Sequence, residues 1–328
     1  MGLAEKLAKK GIVSDEPSEV TAFLSTGYKP LDYEISGHYH NGGIPQGRMT
    51  EIAGYEATGK TALAVAIMKS AQEQGGFAMF KDHENAFDVG LAKSQGLSDD
   101  PNKFLYNTPN TFEESVDKAS EYGLMVREEL GPDVPIVAVF DSLASMVPKS
   151  KWDKNAADYN MNDTTALARA TSAAFPVMSL LAMRSNITMV FLNQVRTKPG
   201  VMYGSPDTTP GGQSMAFYAS LRIKLAKIKH SDKDFKAKDG HGVKASIDKN
   251  KVWKPHGEAR WDFYYSEDGT GHFDVAGGSV DALIELGIIE QGGAYVTFEG
   301  DKMFKSQFVK KMRADPAFMA HVISKFPA

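Results

Sequence analysis

From about residue 48 the chain alternates short runs of β-branched and apolar residues with longer stretches of helical periodicity. The runs Met49–Ala53, Phe77–Lys81, Ile136–Phe140, Thr188–Leu192 and Leu221–Leu225 predict strands. Several are apolar almost throughout, as parallel strands buried on both faces require. Between them, TALAVAIMKSAQEQ and TTALARATSAAFPVMSLLAMRSN carry helical spacing and would form right-handed crossovers. The predicted class is α/β, a mostly parallel sheet flanked by helices. Residues 1–24 read as an arm: Leu3, Leu7 and Ala8 oppose Lys6, Lys9 and Lys10, and the acidic, proline-broken SDEPSE follows. After about residue 275 come SVDALIELGIIEQGG, a hairpin-like AYVTFEGDKM and the helical SQFVKKMRADPAFMAHVISKF. These predict a small α+β module over 276–328 and leave 25–275 as the core.

A chain of 328 residues with 42% hydrophobic content can bury a full core. No apolar run approaches the roughly 18 residues that span a bilayer, and the start lacks a secretory apolar stretch, so the expectation is a cytoplasmic protein with no membrane partner. The absence of cysteine excludes disulfides, thiolate metal sites and cysteine nucleophiles. A net charge of -4 argues against coating DNA by overall positive charge, so a nucleic-acid site must be local. From Arg222 to Lys254 eleven Lys or Arg stand against four Asp, which fits either such a site or a solvated basic surface.

The sharpest signal is G-Y-E-A-T-G-K-T, Gly54 to Thr61, which matches G-x-x-x-x-G-K-[ST] between a predicted strand and a predicted helix. Gly54, Tyr55, Glu56, Ala57, Thr58, Gly59, Lys60, Thr61 and Ala62 are therefore candidate ATP contacts. Backbone N–H groups would converge on phosphate at the positive end of the helix, Lys60 would reach the β- and γ-phosphates, and the Thr61 hydroxyl would ligate Mg2+. Asp141 ends the buried run PIVAVFD and is the second Mg2+ candidate, with a helix-capping role as the alternative. A water-orienting base should lie in FKDHENAFD. Glu84 is the first choice and Asp82 its competitor, and spacing alone does not separate them.

With these sites located, the chain resembles the bacterial RecA recombinases over roughly residues 25–310. The similarity rests on Ser25 to Gly27 with the downstream LD, on EIAGYEATGKTAL, FKDHENAFD and VFDSLASMVPK, and on NQVRTKPGVMYGSPDTTPGGQSMAFYASLRIKL at 193–225. Lys249 to Lys251 (KNK) and ALIELG at 282–287 extend it. The resemblance implies an ATPase that assembles as a filament on single-stranded DNA and drives pairing with homologous duplex DNA. It assigns Glu84 as the catalytic glutamate and Gln194 as the sensor of the γ-phosphate. Asp88 would lie near the adenine, and Lys249 and Lys251 would reach ATP on the adjacent subunit. The loop of about 195–212 would be the second DNA-binding loop. In it and just after it, Arg196, Thr197, Lys198, Gly211, Gly212 and Gln213 would approach the DNA, with Val201 and Met202 wedging between bases. Its glycines and prolines independently argue against regular structure without a ligand, and its cations supply salt-sensitive attraction. The first DNA loop would fall around 153–162, where Met161 and the downstream Arg169 are the contacts implied. Trp152 and Tyr159 either stack on bases or pack on the neighbouring helix.

The resemblance has gaps. Leu91 stands where the family has a tyrosine near the adenine, and Ala216 where a lysine precedes the Phe-Tyr pair. Only Gly11 to Val13 could match the subunit-joining strand, and no acidic tail follows KFPA, the pattern expected of a compact, phage-encoded member acting in the host cytoplasm. Two rival functions remain at this stage. A hexameric helicase on the same core would leave the GVMYGSPDTTPGG loop unexplained, and a nucleotide-switched DNA-binding protein without turnover would leave the Lys60, Thr61, Glu84 and Asp141 set unexplained.

Overall fold

The computed structural model describes residues 19–160, 163, 165–197, 207–230, 239–265 and 271–328. The arm up to residue 18, with Gly11 to Val13, lies outside them. One nine-stranded sheet organises the core. Its strands are β1 (Met49–Gly54), β2 (Phe77–Asp82), β3 (Phe104–Asn107), β4 (Ile136–Asp141), β5 (Ile187–Gln194), β6 (Leu221–Ile228), β7 (Gly240–Asn250), β8 (Glu258–Tyr265) and β9 (Gly271–Asp274). Their spatial order is β9-β8-β7-β6-β1-β5-β4-β2-β3. β6 through β3 in that order run parallel, and β7, β8 and β9 extend the sheet antiparallel beyond β6.

The five predicted strands are β1, β2, β4, β5 and β6, each slightly longer than its apolar run. The four others did not stand out, β3 because it has only four residues and the antiparallel strands because they mix apolar with polar ones. In β7 the buried Val243, Ala245 and Ile247 are separated by Lys244 and Ser246, the signature of a strand with one solvated face.

Side-chain alternation along the parallel strands builds two cores. Ile52, Phe80, Val137, Val139, Val190 and Leu192 meet Leu63, Ala64, Ile67 and Met68 of the helix Lys60–Glu73. The opposite face presents Met49, Ala138, Phe140, Met189 and Phe191 to the helices Phe112–Leu130 and Ala166–Ser185. There the Phe140 and Phe191 rings stack at 4.4 Å, and Phe175 reaches Phe191 at 5.2 Å. The helix Ala166–Ser185 is long and apolar enough to cross a membrane by length and composition. It instead packs on the sheet through Phe175, Met178 and Ala182, and it contains Arg169, Arg184 and Pro176.

A third buried cluster lies in the last fifty residues, where the helix Val275–Glu285, three short antiparallel strands and the helices Lys305–Ala314 and Pro316–Ile323 enclose Val280, Leu283, Val296, Phe298, Phe308 and Met312. The hairpin read from AYVTFEGDKM pairs Phe298 with Asp301 across Glu299 and Gly300. Both turn residues have positive φ, the backbone of a tight two-residue hairpin turn. Arg313 pairs with Asp274 at the end of β9, joining this cluster to the sheet, and Tyr39, just after the helix Lys29–Ser36, stacks on Phe326 at 5.0 Å.

For function, the register matters most. Gly54 lies opposite Gln194 in the β1–β5 pair, and Asp82 opposite Asp141 in the β2–β4 pair. All four are the last residues of their strands, so one carboxyl edge collects them. Truncating the centre of the aromatic stack should loosen that edge. Phe191→Ala is expected to lose about 3–5 kcal/mol in urea denaturation; a loss below about 1 kcal/mol would show that the stack does not anchor β5.

Candidate functional site

β1 runs into Gly54, where a Cβ would lie 2.6 Å from the Thr58 hydroxyl and 3.0 Å from the Leu225 carbonyl oxygen, so only glycine fits. At the other end of the loop Gly59 has φ +85° and precedes the first turn of Lys60–Glu73. The turn closes over the positive end of that helix, whose first N–H groups are available to an anion. Lys60 Nζ donates to the carbonyls of Gly54 at 3.1 Å and Tyr55 at 3.0 Å. Burial pushes its pKa down, against the pull of Asp141 and Glu84. Thr61 Oγ1 donates to Asp141 Oδ2 at 2.9 Å. Burial, then the charge of Glu84, raise the Asp141 carboxyl to about 6, partly offset by the Thr61 hydroxyl.

Glu56, Ala57, Thr58, Gly59, Lys60, Thr61, Ala62, Glu84, Asp88, Asp141 and Gln194 line one cleft of about 340 Å³. Of the residues read from sequence as ATP or Mg2+ contacts, Gly54 and Tyr55 are not part of its lining: the first is packed beneath the loop, and the second is exposed.

The two carboxylates that spacing left open have different surroundings. Asp82 is 1% exposed and both its oxygens are occupied. Oδ1 accepts the backbone N–H groups of Glu84 (2.9 Å) and Asn85 (2.7 Å), and Oδ2 accepts those of Phe87 (3.0 Å) and the Tyr106 hydroxyl (3.1 Å). Asp82 therefore shapes the turn that carries Glu84. Glu84 is exposed to the cleft, and its Oε1 accepts from Gln194 Nε2 at 3.0 Å, from Ser145 Oγ at 3.2 Å and from Ser142 Oγ. Asp88 caps the helix Val89–Ser94 through the Leu91 N–H at 3.0 Å, and beside it Gln95 donates to the Gly271 carbonyl at 3.0 Å.

Sequence reading missed Ser142 and Ser145, although both follow Asp141 within DSLAS. It also missed Phe263, Tyr265 and Gly271, which line the same cleft from the far edge of the sheet and carry no local motif.

Past Gln194 the chain passes the buried Val195 and pairs Arg196 with Thr208 and Thr197 with Asp207. The two feet of the loop are thus zipped in short antiparallel strands, where the glycine and proline content predicted no regular structure. Arg196 is exposed. Met161, Lys198, Val201 and Met202 lie outside the described residues. Gly211 and Gly212 have φ +90° and +73°, and side chains there would crowd Leu143 at 2.9 Å and Ala168 at 3.0 Å. Local packing alone demands both glycines. Gln213 precedes the short helix Ser214–Tyr218, and Arg169 is exposed with its guanidinium on Thr165 Oγ1 at 3.1 Å. Trp152 and Tyr159 are exposed, and Lys151 sits 5.4 Å over the Tyr159 ring.

Lys249 and Lys251 stand outside the cleft, at the end of β7. Lys249 Nζ donates to the carbonyls of Ala216 at 2.6 Å and Phe217 at 2.9 Å. Burial, then the charges of Lys251 and Arg222, lower it to about 8. Phe217 beside it is 69% exposed.

A glycine-bounded phosphate loop, its lysine and hydroxyl, and acidic groups along a parallel sheet's carboxyl edge define a P-loop nucleotide-binding protein. The family model of the RecA N-terminal domain matches residues 5–270. Protein RecA of Geobacter sulfurreducens is 35% identical over 303 residues, covering 91% of this chain and 83% of that one. Protein RecA of Chloroherpeton thalassium is 34% identical over 327 residues, covering 98% and 85%, and that of Ruminococcus albus 36% over 308, covering 93% and 72%. The chain belongs to the RecA family.

Replacing Lys60 by alanine removes the one lysine that lines the cleft among the described residues. Phosphate release by Lys60→Ala should fall at least about 100-fold while the melting temperature holds. Turnover equal to that of the parent chain would mean that the phosphates bind elsewhere.

Proposed function

We propose that the cleft and the feet of the loop are two ends of one switch, with Gln194 as the joint between them. As a member of the RecA family the chain is an ATP-dependent DNA recombinase. It hydrolyses ATP with Mg2+ in a DNA-dependent manner, forms helical filaments on single-stranded DNA, and pairs that strand with homologous duplex in recombination and repair. On family grounds we assign it to the cytoplasm, the host's cytoplasm if a phage encodes it.

One observation carries the residue-level reading. The Gln194 side-chain amide rests on Glu84 at 3.0 Å, and the Gln194 backbone leads within two residues to the Arg196–Thr208 pair. In our reading, the N–H groups of the Gly54 to Thr61 loop and the Lys60 ammonium hold the phosphates. Thr61 and Asp141, already 2.9 Å apart, are the pair suited to Mg2+, which when bound neutralises charge on the phosphate oxygens. Glu84 orients the attacking water and takes its proton. A γ-phosphate offers the Gln194 amide a stronger acceptor than Glu84 does, because the phosphate carries more charge. Drawing that amide over removes one of the three donors on Glu84 Oε1, leaving the carboxylate more available to water, and pulls on the first foot of the loop. Arg196 and Lys198 meet DNA phosphates, and Val201 and Met202 separate base groups. Lys249 and Lys251, beside the exposed Phe217, reach the nucleotide of the neighbouring subunit, which ties hydrolysis to assembly.

Glu84→Gln should bind ATP and single-stranded DNA yet hydrolyse about 10²–10⁴-fold more slowly, leaving persistent filaments. If it turned over normally while Asp82→Asn were inactive, the base assignment would be wrong.

The joint is tested by titrating labelled single-stranded DNA with ADP and with a non-hydrolysable ATP analogue at two salt concentrations. Gln194→Ala should lose the ATP-over-ADP preference, whereas Arg196→Ala should weaken binding in both states with a salt slope shallower by about one. Retention of the full preference by Gln194→Ala would move the switch to another residue.

A further inference from the structure

We infer that Glu51 is a positioning residue that joins the second foot of the DNA loop to the strand end bearing Lys249 and Lys251. The inference deepens the proposed switch and rests on the reading of 195–212 as a DNA-binding loop.

Glu51 lies in the middle of β1, 1% exposed, on the same sheet face as the apolar Met49. A carboxylate there persists only if its oxygens are fully matched. Oε1 accepts from Asn193 Nδ2 at 2.8 Å, and Oε2 from Arg222 Nε at 2.6 Å. Each contact leads somewhere.

Asn193 is itself fully buried, and the same amide nitrogen reaches the Pro210 carbonyl at 3.1 Å. Its Oδ1 accepts the Gln194 backbone N–H at 3.0 Å. Asn193 therefore touches both the joint residue and the returning end of the loop, and Glu51 sets the angle of its amide. On the other side, Arg222 is the cross-strand neighbour of Lys249 in the β6–β7 register. Lys249 in turn holds the carbonyls of Ala216 and Phe217, in the short helix that follows the loop. A displacement of Pro210 thus bears on Asn193, then on the Glu51–Arg222 pair, and then on the strand end from which Lys249 projects.

Two features make this a path and not merely a brace. The Glu51–Arg222 pair is buried at its acidic end, so it moves as a unit more readily than it separates. Beside it, Glu51, Val195, Thr208 and Arg222 border a cleft of about 200 Å³, which gives the feet of the loop room for a second arrangement. Among the described residues, Glu51, Asn193, Pro210, Arg222 and Lys249 do not line the nucleotide cleft, and the network meets it through the Gln194 backbone, so its loss should change coupling and not basal chemistry.

Glu51→Gln preserves the shape but turns one of the two oxygens into an NH2 donor, which would face the donor nitrogen of either Asn193 or Arg222. In the full-length chain, DNA-independent ATP turnover and binding of fluorescent ADP should stay within about twofold, while the ATP-analogue-over-ADP preference for single-stranded DNA falls at least about tenfold. Asn193→Leu should do the same, and the double variant should fall no lower than the weaker single, since both changes cut one path. A folded Glu51→Gln with the full preference, or a double variant whose loss is the product of the singles, overturns the inference. Should Glu51→Gln fail to fold, Arg222→Gln cuts the other arm at a side chain 23% exposed; the same loss is expected, and a full preference there also overturns it. Arg196→Ala separates the two layers. Unchanged DNA affinity in that variant sinks the loop reading and this inference with it, whereas weakened affinity alongside an unchanged preference in Glu51→Gln sinks the inference alone.

Discussion

Everything in the site depends on the register of a parallel sheet. With Gly54 opposite Gln194, Asp82 opposite Asp141 and Phe140 opposite Phe191, the ends of β1, β2, β4 and β5 gather along one carboxyl edge, those of β1 and β5 reaching two residues further. A shift by one residue in any of these strands would turn its last side chain to the other face and dismantle the cleft. The stacked rings of Phe140 and Phe191 and the helices that cover them hold that register from behind, Phe140 next to Asp141 in the chain and Phe191 close before Gln194. Packing and catalysis are in this sense the same constraint.

The edge is electrostatically unfinished. Asp141 is raised to about 6 by burial and by Glu84, Lys60 is pushed down by burial, and its ammonium rests on carbonyls of its own loop. In the proposed reading, phosphate and a divalent cation replace these internal partners with stronger ones. The Gln194–Glu84 contact follows the same logic, because a neutral amide on a carboxylate is readily exchanged for a stronger pairing. Binding energy can then appear as movement of the loop. Lys249, depressed to about 8 and bound to carbonyls beside the exposed Phe217, repeats the pattern at the end of β7.

Much of this was legible before any coordinates. Strands buried on both faces must be apolar, so β1, β2, β4, β5 and β6 stood out, and the Gly54 to Thr61 pattern identified its own strand and helix. Asp141 was visible as the polar end of an apolar run. The antiparallel strands were hidden because a half-solvated strand mixes lysine with valine, and β3 is only four residues long. Glu84 and Asp82 are two positions apart and chemically alike, and only the three-dimensional turn shows one carboxylate filled by backbone N–H groups and the other facing the cleft. Tyr265 and Phe263 reach the cleft through the sheet's far edge, a contact no local spacing encodes. Glu51 left a single trace, the one charge in the strand-forming MTEIA, whose meaning depends on Asn193 and Arg222, residues well over a hundred positions downstream.

The central claim is that nucleotide state, read by Gln194, sets the order of the loop that meets DNA. Hydrogen–deuterium exchange over residues 195–212 with single-stranded DNA present, compared between ADP and a non-hydrolysable ATP analogue, measures this directly. The account predicts amide exchange at least about tenfold slower with the analogue than with ADP, in the loop and at its feet, because the ATP-bound state favours the ordered form. Equal exchange in the two nucleotide states, with both nucleotides shown to be bound, would contradict it.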